Sequence, residues 1–256
     1  MESNVYGSAI PGDHAFRSKR LVDIQAMGDD AGLRLAALEL QSRAEVYSYG
    51  YQQEWCGVPV IRLPDDIVIF QEIVWHSRPR FIVETGVARG GSLVLSASLM
   101  AMAQIQPRVL GLDIQILEHS RKALSESPFA RSIDIWEGDS AGDAAKARVE
   151  SYIRETEGTG PGLLVLDSDH SHEHVLKELR QHAPALPIGS LVLVADTLID
   201  EFPPGHYPDR PWDQGNNPMT AVRAFLTESS DYRLSERWCK RGLLTEFRDG
   251  IIERIR

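Results

Sequence analysis

Six carboxylates in this chain stand at or just beyond the ends of short apolar runs: Glu84 after residues 81–83, Asp113 after 109–112, Asp139 after 133–136, Asp167 and Asp169 after 162–166, and Asp196 after 191–194. If those runs are strands of one parallel sheet, their carboxyl ends open on a shared crevice where loops and helix N-termini converge on a ligand. Aspartate also caps strand-to-helix turns, so any single acid has a structural explanation. Six in equivalent places call for a chemical one.

The first group surrounds a glycine loop, Glu84-Thr85-Gly86-Val87-Ala88-Arg89-Gly90-Gly91-Ser92. Glycines let a ligand approach the backbone closely, and the amides that start the following helix suit a carboxylate or phosphate. The spacing is not G-x-G-x-x-G and the loop lacks the lysine of a P-loop, which disfavours dinucleotides and nucleoside triphosphates. Asp113, ending the next strand, is placed to accept both hydroxyls of a ribose. With Asp139 one strand further on, the set favours an adenosyl ligand that ends in an amino acid over one with a pyrophosphate.

The second group is Leu166-Asp167-Ser168-Asp169-His170-Ser171-His172-Glu173-His174, matched by Val194-Ala195-Asp196-Thr197. Asp167 and Asp196 end what should be adjacent strands, so both carboxylates can face one hard divalent ion such as Mg2+. Asp169 falls beside that ion without having to bind it, the place for a base that serves a metal-bound hydroxyl, and His170 belongs near the same point. His170, His172 and His174 alternate by two and have no second ligand cluster, which argues against a histidine zinc centre. His172 and His174 are expected as exposed residues at a helix start.

The elements that must position these groups follow from periodicity. Short apolar strands alternate with helices over 91–106, 120–126, 143–154 and 173–182, as in a parallel sheet covered on both faces. Upstream, mixed three- and four-residue spacing predicts a helix over 33–47, and Pro64 with Asp65 and Asp66 opens another that ends near Ser77, before Pro79. Downstream, Asn217-Pro218 starts a helix over 219–227. Residues 232–237 and 243–248 read as strands, with Asp249-Gly250 as a hairpin turn into 251–254. This is an α/β, doubly wound Rossmann-like sheet with a C-terminal antiparallel hairpin and an N-terminal helical extension, the arrangement of class I methyltransferases by analogy of fold. The segment 200–217, with Phe202, His206, Tyr207 and Trp212, follows Asp196 and is a candidate lid. Trp55 and Trp75 are expected in the core. Residues 1–30 read as a loosely ordered arm. Two units are expected: residues 1–50, an arm and helix that cap the site or join copies, and residues 51–256, the main domain.

Over 256 residues, 27 lysines and arginines face 37 acids for a net charge of −10, which repels phosphate backbones and anionic lipid. A nucleic-acid or membrane-surface role is disfavoured. No run approaches the ~18 apolar residues needed to span a bilayer, and the first residues lack a signal-peptide core. Cys56 and Cys239 form no disulfide framework, so the expected compartment is the cytoplasm.

These motifs resemble the cephalosporin hydroxylase family, whose members have an S-adenosylmethionine-binding fold and are similar to metal-dependent O-methyltransferases of sugars. The resemblance runs from about Tyr51 to the C-terminus. It is carried by Trp55-Cys56-Gly57-Val58-Pro59, Leu63-Pro64-Asp65-Asp66, the glycine loop, L-D-S-D-H-S-H-E-H-V, V-A-D-T and Gly242-Leu243-Leu244-Thr245-Glu246-Phe247. It implies S-adenosylmethionine held by Glu84, Gly86, Gly90, Ser92, Asp113 and Asp139, with Asp167 shared. It also implies Mg2+ or a similar cation on Asp167 and Asp196, and Asp169 or His170 as the base. The implied reaction methylates a hydroxyl of a small-molecule or oligosaccharide acceptor, and the implied assembly is a homo-oligomer. Where the family commonly has an acid before the second metal aspartate, this chain has Ala195, which leaves the cation fewer protein oxygens. Two other readings remain. An iron-dependent hydroxylase needs two histidines and a carboxylate, which the Asp-rich site disfavours. A non-catalytic, cofactor-binding partner subunit is kept open by Ala195.

Overall fold

Two helices precede the sheet in the computed structural model, which describes residues 13–156 and 160–256. Helix α1 (Asp13–Asp29) replaces the expected loose arm over that stretch; residues 1–12 lie outside the described residues. Residues 13–27 contain neither proline nor glycine, and Arg17–Asp13 and Lys19–Asp23 pair one turn apart on the helix surface. Helix α2 (Ala31–Glu45) is capped by Asp30, whose carboxylate accepts the Leu33 amide at 2.9 Å. A hairpin the sequence reading does not contain follows, β1 (Gln53–Trp55) and β2 (Val58–Val60). It turns on Cys56 and Gly57, both left-handed at φ 52° and 78°, as a tight hairpin turn requires. Helix α3 (Pro64–Ser77) starts at its proline as expected.

Five parallel strands then build the sheet: β3 (Ile82–Thr85), β4 (Val109–Asp113), β5 (Ile133–Glu137), β6 (Leu163–Leu166) and β7 (Leu191–Val194). Alternate side chains go to opposite faces. Ile82, Val109, Leu163 and Leu191 pack with α3 and α4 (Gly91–Met102), while Val83, Leu110, Leu164 and Val192 pack with α6 (Asp143–Glu155) and α7 (His172–His182). Helix α5 (Glu118–Glu126) lies between β4 and β5 in the chain. Each fully buried aliphatic side chain contributes about 2 kcal/mol, so β3, β4, β6 and β7 stay apolar and polar chemistry is confined to their ends.

The C-terminal part keeps the antiparallel pair but not the predicted partners. After α8 (Pro218–Glu228), strand β8 (Tyr232–Leu234) is followed by the short helix α9 (Glu236–Cys239) and then β9 (Ile251–Arg254). β9 lies between β7 and β8, giving the order β5-β4-β3-β6-β7-β9-β8. Residues 243–248 are irregular, not a strand. The Asp65 carboxylate accepts the amides of Leu243 and Leu244 at 3.1 and 3.2 Å, and Asp66 accepts that of Glu246 at 2.9 Å, which removes donors a ladder would use. Trp55 is half-buried and donates to Ser98 at 2.7 Å, but Trp75 is 44% exposed, off the α3 face that buries Ile69, Phe70, Ile73 and Val74. Among the described residues no helix is long and apolar enough to cross a membrane.

Candidate active site

Strand register decides which acids meet. Thr85 pairs with Leu166, and Leu166 with Val194, so Gly86, Asp167 and Asp196 emerge from neighbouring strand ends. β3 and β6 flank the point where strand order reverses, the usual ligand crevice of such sheets. A cleft of about 520 Å³ opens there. It is lined by the loop from Gly86 to Ser92, by Asp167, Ser168, His170, Asp196 and Glu246, by Gln41 and Glu45 of α2, and by Tyr49, Tyr51, Tyr207, Arg210 and Trp212.

Gly86 and Gly90 are both left-handed, at φ 90° and 86°. A Cβ on Gly86 would stand 1.9 Å from the Asp167 carbonyl oxygen, so only glycine lets the loop lie this close to β6. Asp113 accepts the amides of Val87 and Ala88 at 2.8 and 3.2 Å and that of Gln115 at 3.0 Å, fixing the loop's shape. Asp139 accepts the Ala141 amide at 2.9 Å. Neither Asp113 nor Asp139 is among the residues lining the cleft, and Glu84, 1% exposed, lies beneath it.

The floor of the cleft is a buried charge cluster that the sequence reading missed. Arg62, between β2 and α3, pairs with Glu84 at 3.1 Å, with Asp167 at 3.4 Å and with Glu246. Burial works against its charge, but Glu246, Asp167 and Glu84 hold the guanidinium well above its ordinary range. Negative charge still exceeds positive. Desolvation, with Asp196 alongside, pushes Asp167 up to about 7 against the pull of Arg62, and desolvation raises Glu84 and, more strongly, Glu246. Asp66, also pushed up to about 7 by burial, lies behind Glu246.

Asp167, His170 and Asp196 each offer a ligand atom, and these lie within 4.8 Å of one another. His170 Nε2 is 3.4 Å from Asp196 Oδ2. The two carboxylates, beside more acids than Arg62 neutralises, fit a hard divalent cation, and the imidazole stands next to them. Asp169 does not line the cleft. Its carboxylate accepts the Ser171 hydroxyl and, at 2.8 Å, the Ser171 amide; although desolvation opposes this, the two bonds hold it below the usual carboxylate range. His170 does line the cleft, with its ring edge-on to Trp212 at 4.8 Å. His172 bonds Thr220 at 2.8 Å. Neither histidine is exposed as expected: His172 and His174 are both half-buried, and His174 meets Ser140 and Ser168, both at 3.1 Å, and Glu178 at 3.5 Å.

Arg62 carried one faint signal, a charge inside the otherwise apolar run Val58-Pro59-Val60-Ile61-Arg62-Leu63. Glu246 has no local signal, because its segment has the composition of a strand and is irregular. Gln41 and Glu45 had no signal, since only the tertiary packing of α2 brings them to the cleft.

A parallel sheet of this order, closed by an antiparallel pair and bearing a glycine loop at its switch point, is the fold of a class I methyltransferase. Over residues 47–255 the chain matches the family model described as Rhamnosyl O-methyltransferase/CmcI, and it belongs to that family. It is 31% identical over 151 residues to the rhamnosyl O-methyltransferase of Mycobacterium leprae, covering 58% of this chain and 62% of that one, less than two thirds of the relative's length. The rhamnosyl O-methyltransferase of Mycobacterium bovis (strain BCG / Pasteur 1173P2) is 29% identical over 184 residues, 70% of this chain and 69% of its own. Among solved structures, apo CmcI-N160 superposes with a TM-score of 0.56 at 19% identity, covering 80% of this chain and 77% of that one. CmcI-D160 with Mg and SAM gives 0.54 at 19% identity, covering 80% and 78%. At that identity the likeness shows the fold.

Proposed function

We propose that this protein is an S-adenosylmethionine-dependent O-methyltransferase acting on a hydroxyl of a sugar or saccharide, with Mg2+ or a similar divalent cation. One observation carries this reading: the glycine loop and the Asp167–His170–Asp196 cluster open into the same cleft. The relatives named as rhamnosyl O-methyltransferases and the CmcI structure holding Mg and SAM support it.

The loop at Gly86, Gly90 and Ser92 receives the donor, and Glu84 and Asp113 hold that loop in shape from beneath and behind. Asp139 orders the turn that faces the adenosyl end. Asp167 and Asp196 hold the cation, with Asp167 also bordering the donor. A cation held there would stabilise negative charge on the acceptor oxygen. His170, left free of the cation, would take the proton of the acceptor hydroxyl. Asp169 keeps the turn that carries His170 in place through Ser171. A single histidine in the cluster does not supply the two that an iron hydroxylase needs.

Residues 1–50 serve as a cap or as a contact between copies: α1 exposes Phe16, Leu21 and Val22. The free thiols of Cys56 and Cys239 suit the cytoplasm. Calorimetry with S-adenosylmethionine, with and without Mg2+, followed by turnover on a panel of methyl glycosides, tests the reading. Absence of donor binding refutes it. Donor binding with no methyl transfer to any acceptor favours a non-catalytic partner subunit instead.

A further inference from the structure

The family match begins at residue 47, yet part of the cleft wall precedes it. Gln41 and Glu45 stand one turn apart on α2, and both line the cavity. Gln41 is 6% exposed, and its Oε1 has no hydrogen-bond partner in the protein. Buried polar atoms are rarely left so. Gln41 lines the cleft, so a hydroxyl bound there is an available partner for its amide. Glu45 accepts the Tyr207 hydroxyl at 2.7 Å and meets His206 Nε2 at 3.0 Å. A carboxylate with two such partners keeps lone pairs for more donors.

Tyr207 is fixed to α2 a second time, through the apolar cluster of Leu38, Leu198 and Phe202. Five residues further on, Trp212 lies against His170. One loop therefore runs from the α2 wall to the histidine that receives the acceptor proton. We infer that α2 is the acceptor-reading wall: Gln41 and Glu45 accept hydrogen bonds from the hydroxyls of a polyhydroxylated ring and so decide which of them reaches His170. The ligand class is a pyranoside with free neighbouring hydroxyls, and the inference rests on the methyl-transfer reading above.

The test uses the full chain, S-adenosylmethionine, the methyl glycosides of rhamnose, mannose, glucose and galactose, and monodeoxy analogues of whichever is methylated. Gln41→Met is expected to raise KM for that glycoside about tenfold, the scale of one lost hydrogen bond, with the donor Kd unchanged. One deoxy analogue should show the same loss on the wild-type protein and no additional loss on Gln41→Met, because both remove the same bond. Glu45→Gln should raise KM in the same direction and serves as the second variant if Gln41→Met does not fold. Acceptor KM unchanged in both variants, or deoxy and variant losses that simply add, overturns the inference and leaves the methyltransferase reading standing. Wild-type protein that binds the donor but methylates no glycoside overturns both.

Discussion

Replacing Arg62 with methionine tests the charge logic of the cleft floor. The side chain is 4% exposed and is the cation shared by Glu84, itself 1% exposed, Asp167 and Glu246. Methionine fills much of the volume but leaves three carboxylates facing one another. Removing one partner of a buried ion pair costs about 3–5 kcal/mol, and protonation of an acid limits the loss to that order even though Arg62 has three partners. At about 2–4 °C per kcal/mol for a chain of this size, Tm should fall by about 10 °C at neutral pH. The deficit should also depend on pH. Without Arg62 the folded-state pKa values of these acids rise further above their unfolded values. The stability such groups contribute is full below the unfolded carboxylate range and is lost as pH rises through the folded values. The gap between variant and wild type therefore widens from pH 5.5 to pH 8. Urea and thermal unfolding followed by circular dichroism, without divalent ions, measures it. A loss under about 1 kcal/mol, or a gap that stays constant across that range, would refute the account.

Other perturbations address single parts. Gly86→Ala places a methyl group 1.9 Å from the Asp167 carbonyl oxygen at a left-handed φ of 90°, so the loop must move; donor affinity should drop at least about tenfold in calorimetry, and wild-type affinity would contradict this. His170→Ala should lower kcat about 10²–10⁴-fold with donor Kd unchanged, and steady-state kinetics showing kcat within threefold would remove the histidine from the reaction. Asp66, fully buried with its pKa pushed up to about 7, destabilises the fold as pH rises through that value. Asp66→Asn should therefore flatten part of the fall in urea midpoint between pH 5 and pH 8, and an unaltered slope would show that Asp66 stays ionised throughout.

The fold was legible where one force dominated. Runs such as Leu163–Leu166 and Leu191–Val194 are buried on both faces, so apolar composition and spacing alone placed them. The Asp167 and Asp196 pairing was readable for the same reason, since strand ends follow from strands. Errors came where side chains compete with backbone. Residues 243–248 have strand-like composition, but the carboxylates of Asp65 and Asp66, nearly 180 residues earlier, take their amides. No local pattern reveals such a donor–acceptor match. α1 buries no residue, so surface pairs and the lack of proline and glycine over 13–27 are its only signals. Asp113 shows a different limit: its position was read correctly, but that its oxygens hold Val87 and Ala88 is visible only once the loop is folded.

Helix α2 is locked to the far end of the chain as well as to the cleft. Arg34 bridges Glu201 at 3.1 Å and Asp249 at 3.0 Å, while Arg248 bonds Glu201 and, at 3.3 Å, the Arg34 carbonyl. A polypeptide trimmed to the family-matching region loses both the wall and this lock, leaving Arg248 with fewer acceptors. Chimaeras that trade α2 between relatives should exchange acceptor preference only when the residues corresponding to Glu201, Arg248 and Asp249 travel with it.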